Sequence, residues 1–127
     1  MERKKIKRIL VQDPFLLRLI CSKLTNLGYT DYVGVCDTQI AWNILCSEPF
    51  DLVICELNEA VLRSNFLKNV TAKFPNISVI VVGSGRLPWE DPSSLKVPGF
   101  PDIFYLPKPA LIVEERLLTA IRTCEER

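Results

Sequence analysis

The sequence predicts an α/β fold of the doubly wound kind: three layers, with a five-stranded parallel sheet carrying helices on both faces. Two observations predict it. Short, almost wholly apolar runs recur along the 127 residues, and amphipathic helical patterns fill the intervals between them. Runs this apolar suit a sheet covered on both sides, and their alternation with helices implies parallel crossovers.

The runs are IKRILV at 6–11, DLVIC at 51–55, SVIVV at 78–82 and DIFYL at 102–106, with a weaker one, YVGVC, at 32–36. Behind the first, Asp13 and Pro14 form a cap followed by a first-turn proline. Leu16, Ile20, Leu24 and Leu27 then recur at helical spacing until Gly28 supplies a stop. Asp37 caps a second helix that turns Ile40, Ala41, Ile44 and Leu45 inward, and Ser64 a third with Phe66, Leu67 and Val70 inward. A last helix over 111–124 lines up Val113, Leu117, Ala120, Ile121 and Cys124. Between residues 83 and 101, Pro88, Pro92, Pro98 and Pro101 break the rhythm, so the fourth helix is shortened or distorted, reaching at most from 92 to 97 behind Asp91.

Totals narrow the function. The length suits one domain, 1–127, with a single core. Sixteen Lys plus Arg against fifteen Asp plus Glu leave a net charge of +1, and the only basic cluster is the short start from Arg3 to Arg8. Nucleic-acid binding needs many cations brought to one backbone, so no nucleic-acid partner is expected. No apolar stretch reaches the roughly 20 residues that span a bilayer and no signal-type segment follows the charged start, so no membrane partner and a cytoplasmic location are expected. Five cysteines, Cys21, Cys36, Cys46, Cys55 and Cys124, are widely spaced in apolar sequence, lack metal-type spacing and read as structural thiols. Histidine is absent, which removes the usual Ser/His and Cys/His nucleophile pairs and the commonest general base.

In doubly wound sheets chemistry gathers at the carboxyl ends of the strands. Those ends carry Gln12 and Asp13, Glu56 and Asn58, Gly83 and Ser84, and Lys108 with Pro109. The turn after the first strand, QDPF, is not glycine-rich and no GxxxxGK[ST] occurs, so a nucleotide module is disfavoured.

In order and spacing, the phrases RILVQDPFLLRLICSKL, DTQIAWNIL, FDLVICELN, ISVIVVGSG and FYLPKPALIVEERLLTAI resemble the receiver domain of two-component response regulators over essentially the whole chain. The resemblance implies a flavodoxin/CheY-like strand order, 2-1-3-4-5. It also implies phosphorelay signalling: two acidic residues and a phosphoacceptor aspartate holding Mg²⁺, with a hydroxyl and a lysine contacting the phosphoryl group. Here Asp13 matches the second acid, while the first falls on neutral Gln12, so Mg²⁺ binding is expected to be weakened. Glu56 replaces the acceptor, its carboxylate one methylene further from the backbone, and displacements near 1 Å cost in-line transfer about a hundredfold. Asn58 matches a residue that contributes a backbone carbonyl to the metal. The switch hydroxyl falls on Gly83, with Ser84 one residue later. Lys108 matches the family lysine, the Lys108–Pro109 bond is a candidate cis peptide, and Tyr105 matches the aromatic whose rotation reports activation, or else a half-buried sheet-end tyrosine.

The resemblance therefore implies a degenerate, pseudo-receiver variant that binds a protein partner without phosphorylation. That partner, a histidine kinase, output domain or other signalling protein, would dock on the face of the fourth helix, fifth strand and fifth helix, with a homodimer through that face left open. Two alternatives stand beside it. Glu56 and Lys108 form either a built-in ion pair imitating phosphorylation or an inert salt bridge. The chain could also be a working phosphoacceptor served by a histidine kinase.

Overall fold

The computed structural model describes residues 5–56, 65–83, 96–97, 100–107 and 114–126. Its strands are β1 (Ile9–Gln12), β2 (Tyr32–Val35), β3 (Leu52–Glu56), β4 (Ser78–Gly83), β5 (Lys96–Val97) and β6 (Phe100–Pro107). Its helices are α1 (Leu17–Asn26), α2 (Thr38–Ser47), α3 (Phe66–Lys73) and α4 (Glu114–Glu125). The sheet runs β2-β1-β3-β4-β6-β5, and every pair is parallel except β5 with β6. The five parallel strands thus take the expected 2-1-3-4-5 order, and β5 is an addition.

Alternation along each strand sorts the core into two layers. Ile9 and Val11 of β1, Leu52 and Ile54 of β3, and Ile80 and Val82 of β4 pack on Ile20 and Leu24 of α1 and on Leu117, Ile121 and Cys124 of α4. The opposite parity, Leu10, Val53, Cys55, Val79 and Val81, meets Ala41 and Leu45 of α2 and Phe66, Leu67 and Val70 of α3. Ile54 is fully buried in the first layer; burying such a side chain contributes about 1.5–3 kcal/mol.

Local chemistry explains the boundaries. Asp37 caps α2 as expected, its Oδ1 accepting from the Gln39 and Ile40 amides at 2.6 and 3.1 Å. Gly28 takes a φ of +93° beyond α1, the left-handed turn that a side chain resists. Asp13 does not cap α1 directly: the helix starts at Leu17, and Asp13 Oδ1 organises the preceding turn through the Phe15 and Leu16 amides at 2.8 and 2.7 Å.

Several expectations need correction. Ile40 is not inward but 51% exposed, because Ala41 and Leu45, four residues apart, set the buried face of α2 and Ile40 stands one position off it. The third helix begins at Phe66 after Asn65 in the left-handed conformation (φ 61°), with no side-chain cap; Ser64 lies outside the described residues. Lys96 and Val97 are strand, not the end of a helix, because their backbone pairs with β6; residues 84–95 lie outside the described set. Cys36 and Cys46 are exposed, while Cys55 and Cys124 are buried and Cys21 is half-buried; all five are free thiols. Among the described residues no helix is long and apolar enough to cross a membrane.

Candidate functional site

The carboxyl ends of β1, β3 and β4 stand side by side, with Gln12 paired in register with Cys55, and Glu56 with Val82. Of the four buried polar or charged residues among those described, Gln12, Asp13, Glu56 and Ser78, three occupy this end. Concentrated buried polarity of this kind marks a site, since each group costs free energy unless partnered.

Their hydrogen bonds leave part of that cost outstanding. The Gln12 amide donates through Nε2 to the Cys36 carbonyl at 2.8 Å, tying the end of β1 to the segment that leads into α2. Its Oε1 is buried without a hydrogen bond. Asp13, fully buried, spends Oδ1 on two backbone amides and leaves Oδ2 buried and unpartnered. An unsatisfied buried acceptor costs about 1–3 kcal/mol, more when charged. The negative field here is legible in Cys55, whose thiol pKa is pushed up to about 12 by burial first and then by the charges of Asp13 and Glu56.

A hard cation is the species that the resemblance places here. Carboxylate and amide oxygens are the right donor type for Mg²⁺, and Asp13 Oδ2 is an unspent ligand position. Asp13 and Glu56 would hold the ion as a two-carboxylate set, with neutral Gln12 in place of a third charge; among the described residues no group of three His, Cys, Asp or Glu is placed to hold a metal. A bound Mg²⁺ would offset the charge of phosphoryl oxygens brought to the site.

At the end of β4 the geometry is steric. A Cβ added to Gly83 would lie 2.6 Å from Tyr105 Cε2 and 2.7 Å from its hydroxyl oxygen, distances that real Cβ atoms do not reach. Tyr105 is 3% exposed and packs in the α2 and α3 layer, so it is a core side chain and not the half-buried tyrosine of the sequence reading. Its ring fills the space that any side chain at position 83 would need. Glycine at 83 therefore does more than omit a hydroxyl.

Asn58, Ser84, Lys108 and the Lys108–Pro109 bond lie outside the described residues. Sequence reasoning missed the Cys36 carbonyl as the anchor of Gln12, which no pattern announces. It also missed the Gly83–Tyr105 contact, for which a glycine closing an apolar strand was an available signal of close approach.

No protein-family model matches the sequence, and no curated protein does. Solved structures do. A signal receiver domain of an HD domain-containing protein from Pseudomonas fluorescens Pf-5 superposes with TM-score 0.72 at 24% identity, over 94% of each chain. A CheY-like response regulator receiver domain from Methylobacillus flagellatus gives 0.73 at 16%, over 95% of this chain and all of that one. One from Methanospirillum hungatei JF-1 gives 0.72 at 20%, over 94% and 93%. The fold is that of CheY-like receiver domains.

Proposed function

We propose that the chain is a single receiver-like domain, 1–127, of two-component signalling, working as a phosphorylation-independent protein-binding module and not as an enzyme. The observation that carries this reading is Tyr105 packed over Gly83. On this reading Tyr105, buried in the space that a side chain at 83 would take, is held in one place, whereas a two-state response needs two. Glu56 in place of aspartate and Gln12 in place of an acid support the same reading from the chemical side. The partner, a histidine kinase, output domain or other signalling protein, meets the face around β6 and α4, and a homodimer through it belongs to the same proposal. A cytoplasmic setting accords with five free thiols.

The second reading, a working phosphoacceptor, draws on the unspent Asp13 Oδ2 beside Glu56. Incubation with Mg²⁺ and acetyl phosphate followed by intact mass separates the two. The binding reading expects no added phosphate in the parent chain, and none in Glu56→Asp, whose Tyr105 environment stays unchanged. A stoichiometric phosphate that disappears in Glu56→Gln would establish the phosphoacceptor instead.

A further inference from the structure

At the opposite end of the sheet from Asp13 and Glu56, the ends of α2 and α3 enclose a half-open hollow of about 370 Å³. Leu45, Phe50, Phe74 and Ile77 supply its apolar wall, and Lys73 and Glu48 its charges. The size is that of small-ligand sites, which pair an apolar lining with a few placed polar groups.

The charges are not equivalent. Glu48 is spent on Arg8, at 2.7 Å. Lys73 faces no carboxylate within ion-pair distance among the described residues. Its ammonium is instead held 5.6 Å from the Trp42 ring centroid and 5.7 Å from that of Phe74, and donates weakly to Cys46 Sγ at 3.6 Å. Trp42 and Phe74 in turn brace one another edge to face, with centroids 5.9 Å apart. Cation–aromatic contacts of this kind at an exposed side chain are worth about 0.5–1 kcal/mol and bias the ammonium toward the two rings. The carbonyls that end α2 at Ser47 and α3 at Lys73 oppose an anion, so one held here depends on the Lys73 charge.

From this arrangement we infer a binding site for a small amphipathic carboxylate, its apolar body on Phe50, Phe74 and Leu45 and its carboxylate on Lys73. The site is independent of the receiver reading, because it shares no residue with the strand-end cluster.

Titration of isotopically labelled protein with octanoate, and in parallel with octanol, tests it through amide chemical shifts. Octanoate is expected to shift Lys73, Phe74 and Ile77, to leave Cys55 and Tyr105 in place, and to bind at least about tenfold tighter than octanol, as a charge-assisted hydrogen bond requires. Lys73→Met should bring the two probes level, and Lys73→Arg should retain the preference. Equal affinity of the parent for both probes, shifts centred elsewhere, or an unchanged preference in Lys73→Met would overturn the assignment.

Discussion

At the amino end of the sheet, Asp51 Oδ2 accepts from the Lys7 and Arg8 amides at 2.9 and 3.0 Å, and Glu125 accepts from the Ile6 amide at 2.9 Å. Arg8 binds Glu48, stacks its guanidinium 4.8 Å from the Phe50 ring centroid, and sets its Nε 3.6 Å from Asp31, a long but attractive approach. At the carboxyl end, Gln12 and Asp13 each keep a buried oxygen with no donor, and Gly83 gives up a side chain to Tyr105. The amino end meets its polar groups within the fold save for Arg8 Nε, which is buried without a hydrogen bond but stands near Asp31. The carboxyl end leaves its own unmet, which is where local rules are broken for a reason other than stability.

Four substitutions probe that contrast, beginning with the largest effect. Gly83→Thr forces a Cβ into the Tyr105 ring and should lose about 3 kcal/mol in urea unfolding, the upper range of overpacking. In a Tyr105→Ala background the further penalty of Gly83→Thr should shrink, since the ring is what the new side chain meets. Full stability in Gly83→Thr alone would mean that Tyr105 has a second place to go, and the single-state reading would fail with it.

Asp51→Ala removes the acceptor of two amides and should lose about 2 kcal/mol. Asp13→Asn keeps an acceptor for the Phe15 and Leu16 amides while deleting a buried, uncompensated charge, and should gain about 1 kcal/mol in metal-free buffer. Opposite signs at the two ends sharpen the comparison; a loss in Asp13→Asn would break it.

The smallest effect is chemical. With its pKa near 12 against an ordinary 9.0, Cys55 should resist alkylation at pH 9 while exposed Cys36 and Cys46 react, as peptide mapping would show. Because the folded value lies above the ordinary one, the stability contributed by the neutral thiol is intact below pH 9. It is lost as pH rises toward 12.

Much of the architecture could be read from apolar periodicity, since strands covered on both faces have almost no alternative composition. β3 shifts by one residue, β4 extends by one, and α2 begins where Asp37 requires. Two kinds of feature escaped. The pairing of β5 with β6 is set by backbone register across a proline-rich stretch, and two residues carry no period. The Gly83–Tyr105 contact joins residues far apart in the chain, so its meaning depends on which strands become neighbours. In the candidate site the positions of Gln12, Asp13 and Glu56 followed from strand ends, while the direction of the Gln12 amide depended on the Cys36 carbonyl.

The short β5 has a consequence for assembly. A long bare β6 would present a row of free amide and carbonyl groups, a template onto which another chain could add a strand. Two antiparallel residues occupy part of that row and are themselves too few to recruit a successor. With such a cap, ribbon-like growth through this margin of the sheet is discouraged at high concentration, and association through side chains is left as the more accessible route.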